Sequence, residues 1–150
     1  MSIKTWIKEF YKKPANYTFK TDKERVQHSL TKWKGVTKKN LDKHELDLWE
    51  TTVQDDDANN FEFDLKTCAL CQKHFGYKEN YVLGEHCKTC PITLATGYPC
   101  NDSPSQKIDA PYDYFCDTGD PLPMIATLEK TLKFLTKKAK KKTSKKISHK

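Results

Sequence analysis

Two Cys-x-x-Cys pairs, "CALC" from Cys68 to Cys71 and "CKTC" from Cys87 to Cys90, lie fifteen residues apart and constrain this chain more than any other feature. Two residues between sulfurs let both turn onto one ion from a single tight loop, and two such loops complete a tetrahedron. The C-x2-C-x15-C-x2-C spacing sits at the short end of the range for a closed zinc site. It predicts a structural Zn2+ held by Cys68, Cys71, Cys87 and Cys90. Cys100, ten residues past Cys90, competes for one of the four positions. His86 directly precedes Cys87 and points away if Cys87 binds. Cys116, beside Tyr112, Tyr114 and Phe115, reads as a small buried hydrophobe.

A staple suits the composition. At 150 residues the chain has the length of one domain. Only 36% of it is apolar, against about 45–50% in average domains counted with Gly. From Cys68 to Asp120 it is rich in Pro, Gly, Asp, Asn and Tyr, a longer irregular stretch than compact domains usually carry. Metal ligation is the force that would order it. The N-terminal "MSIKTWIKEFYKK" lacks the apolar run of a signal peptide. No apolar stretch is long enough for a membrane span. A cytoplasmic chain is expected, and in a reducing compartment its six cysteines point to metal rather than disulfides.

Ile3, Trp6, Ile7, Phe10 and Tyr11 fall on one helical stripe that Pro14 ends. Thr21 with Glu24 has capping-box spacing, Val26, Leu30 and Trp33 repeat behind it, and Gly35 stands just past the end. "NLDKHELDLWETTV" reads as another helix, N-capped by Asn40, with Leu41, Leu48 and Trp49 inward. "QDDDANN" is a solvated loop, because Asp55, Asp56 and Asp57 lack the alternating ligands, central Gly and closing Glu of a calcium loop. Phe61, Phe63 and Leu65 alternate as in a short strand. Met124, Ile125, Leu128, Leu132 and Leu135 mark a last amphipathic helix, and the lysines beyond it have almost nothing to bury.

These readings predict an α+β fold, mainly helical, with a small irregular zinc-stapled Cys-rich region of knuckle or ribbon type and a disordered basic C-terminal tail. Residues 1–20 form a basic arm with a short helix. Residues 21–136 form a single zinc-stabilised domain, helical over 21–53, Cys-rich over 61–120, with a C-terminal helix over 123–136. Residues 137–150 are the lysine-rich tail.

No catalytic signature accompanies the cysteines. A thioredoxin-type pair needs a βαβ setting, which the pattern lacks. A zinc protease needs a second His four residues after His44, where Leu48 stands. A zinc deaminase needs H-x-E and P-C-x-x-C, whereas here Pro91 follows the pair. The five glycines do not cluster into a phosphate loop. A nucleophile built from Cys100 or Cys116 with His44 or His74 has no local support. A closed four-sulfur site leaves no open position for water. A non-enzymatic chain is expected.

Taken in order, "HSLTKW", "CALC", "CKTCPITLATG", Cys100, "PYDYF" and "TLEKTLKFL" resemble the pattern of a family of small cysteine-cluster proteins encoded by bacteriophages and prophages. The match runs from about Leu30 to Leu135. The resemblance implies a virus-derived cytosolic protein whose Cys68, Cys71, Cys87, Cys90 and Cys100 act together, and it implies no activity. The N-terminal arm, the longer gap before "PYDYF", the lysine tail and Cys116 depart from the pattern.

The net charge of +7 is unevenly spread. Residues 1–43 carry 12 Lys/Arg against 4 Asp/Glu, residues 44–136 carry 7 against 16, and residues 137–150 carry 8 lysines and no acid. An acidic middle with basic ends places any attraction for polyanions at the ends. Tyr77, Tyr81 and Tyr98, which could stack on single strands, lie in the acidic middle. The chain therefore reads as a zinc-binding accessory module. It would hold DNA or RNA without sequence preference through Lys137, Lys138, Lys140, Lys141, Lys142, Lys145 and Lys146. The alternative is a phage effector whose acidic zinc-containing domain binds a host protein and inhibits or redirects it.

Overall fold

A computed structural model describes residues 3–14, 17–48, 67–74, 86–102 and 110–147, with side chains as far as Lys140. The helices are α1 (Ile3–Phe10), α2 (Asp22–Gly35), α3 (Lys38–His44), α4 (Ala69–His74), α5 (Pro91–Thr96), α6 (Pro111–Thr118) and α7 (Leu122–Ile147), with a 3₁₀ turn at His86–Thr89. The mainly helical class is observed. No strand occurs among the described residues. The alternation at Phe61, Phe63 and Leu65 lies outside them, as do Trp49, Asp55, Asp56, Asp57, Tyr77 and Tyr81.

α2 is the hub. Its capping box forms as the sequence predicts: Glu24 N–H donates to Thr21 Oγ1 at 3.2 Å, and Thr21 N–H donates to Glu24 Oε2 at 3.4 Å. Val26, Leu30 and Trp33 then face inward, where α7 lies along α2 and adds Met124, Ile125 and Leu128. α1 and α4 pack on α2, while α5 and α6 pack on α7. Trp33 is 3% exposed and meets the Phe115 ring edge-on at 4.7 Å. Ridges of apolar side chains from all seven of these helices thus close one core around α2 and α7.

Gly35 is the last residue of α2 and has no positive φ, so it is not the left-handed cap its position suggests. Its role is clearance. A Cβ there would lie 2.6 Å from Phe10 Cγ and 2.8 Å from Trp6 Cζ2. The Trp6 indole Nε1–H donates to the Gly35 carbonyl at 2.8 Å and fixes α1 in that close approach.

The helix expected from Asn40 to Val53 is shorter than its pattern. Thr37, not Asn40, precedes it, and Glu45 ends it in the left-handed region at φ 57°. Leu46 N–H closes the turn on the Leu41 carbonyl at 3.1 Å, a Schellman-type ending. This swings His44 inward between Thr5 Oγ1 at 2.9 Å and Glu9 Oε2 at 3.0 Å. Anchoring a buried imidazole offsets the roughly 1–2 kcal/mol of a left-handed residue with a side chain.

The stretch from Cys68 to Asp120 is more helical than its weak periodicity suggests. α5 and α6 each open on a proline, Pro91 and Pro111, and each closes on a positive-φ glycine, Gly97 at 94° and Gly119 at 73°. Proline first and glycine last is a helix signature in its own right.

The largest correction concerns the tail. The expected disordered segment is helical, for α7 runs unbroken from Leu122 to Ile147. No Gly or Pro follows Pro123, and Lys, Leu and Ala are strong helix formers. Once the packed turns as far as Leu135 exist, each further residue adds a hydrogen bond without a new nucleus.

Candidate metal centre and basic helix

Five of the six cysteines gather at one place. Cys68 immediately precedes α4 and Cys71 lies in its first turn; Cys87 sits in the 3₁₀ turn, Cys90 just before α5 and Cys100 after it. Backbone bonds hold these turns: Cys90 N–H to the Cys87 carbonyl at 3.0 Å, and Tyr112 N–H to the Cys100 carbonyl at 2.8 Å. All five line one enclosed cavity of about 10 Å³, together with Leu70, Ile92 and His74. A neighbouring cavity of about 20 Å³ shares Cys68, Cys71 and Cys100 and adds Ser29, Lys32 and Trp33. Neither has room for more than about one water. Nothing the size of a metabolite fits.

The sulfurs interact strongly. A thiol–thiol hydrogen bond with Cys71 holds Cys68 down, to about 5, with help from the Lys32 ammonium and the Leu70 and Cys71 amides and against burial. The same bond, with burial, pushes Cys71 up. Burial pushes Cys90 up to about 12, although the Ile92 and Thr93 amides face its sulfur without closing a capping bond. Burial also raises Cys87 and Cys100. Among the described residues no group of three or more His, Cys, Asp or Glu is placed to hold a metal ion.

The surroundings of the cluster bear on its charge. Lys32 is 1% exposed, and its Nζ donates to the Thr67 carbonyl at 3.1 Å and to Thr67 Oγ1 at 3.2 Å. Ser29 Oγ and Thr93 Oγ1 are buried without a hydrogen-bond partner. Ser29 lines the larger cavity and Thr93 the smaller. A buried ammonium and two orphaned hydroxyls around clustered sulfurs are donors suited to an anionic thiolate centre. Sulfur donors, five of them in a nearly dry enclosure, are of the type that Zn2+ takes.

Two other residues are set aside. His74 lines the smaller cavity, but its Nε2 is bonded to Asp22 Oδ1 at 3.1 Å and its Nδ1 to Thr89 Oγ1 at 3.2 Å. Cys116 corrects its expectation, because it is exposed rather than buried. α6 turns the neighbouring Phe115 into the core, and one residue further the helix faces away.

Of the seven lysines read from the sequence as a polyanion grip, Lys137, Lys138 and Lys140 are exposed on α7. Lys141, Lys142, Lys145 and Lys146 belong to the same helix. Lys138 Nζ lies 5.9 Å over the Phe134 ring. The packed half of the helix is tied to α2 by Lys34 Nζ on Glu129 Oε1 at 3.0 Å. What sequence reading misses is the element that displays these lysines, although the unbroken run of helix formers signals it. Among the described residues no helix is long and apolar enough to cross a membrane. No protein-family model matches the chain, and no curated protein or solved structure matches it.

Proposed function

We propose that the chain is a non-enzymatic binding module: a small helical domain, closed by Zn2+ on its cysteine cluster, that carries a basic helix for DNA or RNA. The observation that supports this reading is the continuation of α7 past Thr136. Helical register there puts Lys137, Lys141 and Lys145 in one i, i+4 row and Lys138, Lys142 and Lys146 in the next. The rows run for about 14 Å, over which each strand of duplex DNA presents about four phosphates. Like charges at i, i+4 repel by about 0.2–0.5 kcal/mol per pair. Phosphates relieve that repulsion, so helix formation and polyanion binding favour each other. A four-sulfur site supplies no open position for chemistry, so the ion's part is to hold α4 and the cysteine turns around α5 together.

The test is fluorescence anisotropy of a labelled DNA duplex, and of an RNA of the same length, at low salt. The full chain should bind both, and a chain truncated after Thr136 should lose most of that affinity while keeping its melting temperature. Equal binding by the two chains, or none by either, contradicts the reading.

A groove of about 510 Å³ between α3 and the α6–α7 junction favours a second reading. Its lining includes the apolar Val36, Leu41, Leu46 and the 59%-exposed Leu122, and three carboxylates, Asp42, Asp47 and Asp120, against one lysine, Lys38. That chemistry suits a basic segment of a host protein carrying one bulky apolar side chain. A single stoichiometric partner that survives nuclease treatment and is lost with Leu122→Asp would favour this reading over the first.

A further inference from the structure

We propose that Cys68, Cys71, Cys90 and Cys100 are the four zinc ligands, leaving Cys87 as a free thiol at the rim. The inference rests on the zinc reading above and departs from the ligand set that spacing alone predicts.

Placement favours Cys100. It lines both cavities beside Cys68 and Cys71, whereas Cys87 and Cys90 line only the smaller one, and of those two Cys90 is buried and Cys87 is not. Cys68 and Cys71 are joined by their hydrogen bond, and Cys90 and Cys100 line the smaller cavity beside both. Cys87 also lies near Cys68, Cys90 and Cys100, but it does not figure among the groups that act on Cys71, and Asp102 is among its own neighbours. A carboxylate sets a negative charge just where a thiolate ligand would add another.

Two of the three supporting donors, Ser29 and Lys32, lie on the Cys100 side. Zn2+ with four thiolates carries two net negative charges, which in a dry enclosure must be met by donors. The orphaned Ser29 hydroxyl and the Lys32 ammonium line the cavity shared by Cys68, Cys71 and Cys100, and Cys87 has no part in it. The Cys100 backbone is fixed to α6 by the Tyr112 bond at 2.8 Å. Cys87, by contrast, sits in a short 3₁₀ turn next to exposed Lys88 and Thr89. Closing the site requires loss of the thiol protons and rotation about the single side-chain bond that aims each sulfur.

The experiment is an anaerobic Co2+ titration of the reduced, metal-free full chain, read by thiolate-to-cobalt charge transfer and ligand-field absorption. The parent and Cys87→Ser should each bind one Co2+ with a four-thiolate, tetrahedral spectrum. Cys100→Ser should lose about a quarter of the charge-transfer intensity, one sulfur of four. The reverse pattern, with Cys87→Ser weakened and Cys100→Ser unchanged, overturns the assignment and leaves the zinc reading standing. A folded parent that takes up neither Co2+ nor Zn2+ sinks both. Alkylation of the Zn2+-loaded parent with iodoacetamide, mapped by mass spectrometry, decides the matter even if Cys100→Ser does not fold. Cys87 and Cys116 should carry the label; label on Cys100, or protection of Cys87, overturns the assignment.

Discussion

At the scale of single residues, the core is most exposed to change at Trp33. Its indole is packed edge-on against Phe115 and Tyr112 at 4.7 and 6.3 Å. Trp33→Ala should cost about 3–5 kcal/mol in urea unfolding, from lost burial and the cavity left behind. An unchanged midpoint would mean the ring does not sit in the core. His28 gives the fold a pH dependence. Burial lowers it below its ordinary 6.5, with the Tyr11 and Phe19 rings each 5.0 Å away and its Nε2 bonded to the Lys13 carbonyl at 2.7 Å. The fold therefore favours the neutral ring, and the unfolded chain takes up the proton first as pH falls. Stability from this group is complete above 6.5 and is lost as pH drops through the lower folded value. The melting temperature should fall between neutral pH and pH 5, and fall less in His28→Gln, which keeps an N–H for Lys13. Parallel curves for the two chains would remove His28 as the cause.

At the scale of elements, the N-terminal half was the most legible. The stripe from Ile3 to Tyr11 and the Thr21–Glu24 box each map onto a helix, α1 and α2, because local pattern and tertiary burial agree there. α3 is shorter than its pattern because a tertiary demand, the seating of His44 against Glu9 and Thr5, stops it early. α5 and α6 carry no clear periodicity, yet proline and glycine bracket both. The gathering of five cysteines is visible in their spacing, but whether Cys87 or Cys100 lies deeper depends on chain paths that spacing does not encode. The end of α7 is not legible from burial, because propagation from a packed segment suffices for helix there. Ala139→Pro tests that element directly. It removes one backbone N–H within α7 and kinks or breaks the helix at unpacked turns. Far-ultraviolet circular dichroism should lose about three turns of helix while the melting temperature stays nearly constant, and duplex affinity should drop although no lysine is removed. Retained affinity would show that charge alone suffices.

At the scale of the whole molecule, the proposed function requires a metal staple for a thin-cored domain and a charged helix that extends from it. Metal analysis should find one Zn2+ per chain. A strong chelator should melt the packing of α4 and α5 on α2 and α7, since structural zinc sites carry apparent binding free energies of about 10–16 kcal/mol. Folded, reduced protein with no metal would contradict the staple. The central claim is that the lysines of α7 form the polyanion grip, and the salt dependence of duplex binding tests it most directly. If about five of them neutralise phosphates, log K should fall against log salt with a slope near −4 to −5 for the full chain. The slope should flatten towards zero for a chain ending at Thr136. A shallow slope in the full chain, or the same steep slope in both, would contradict the claim.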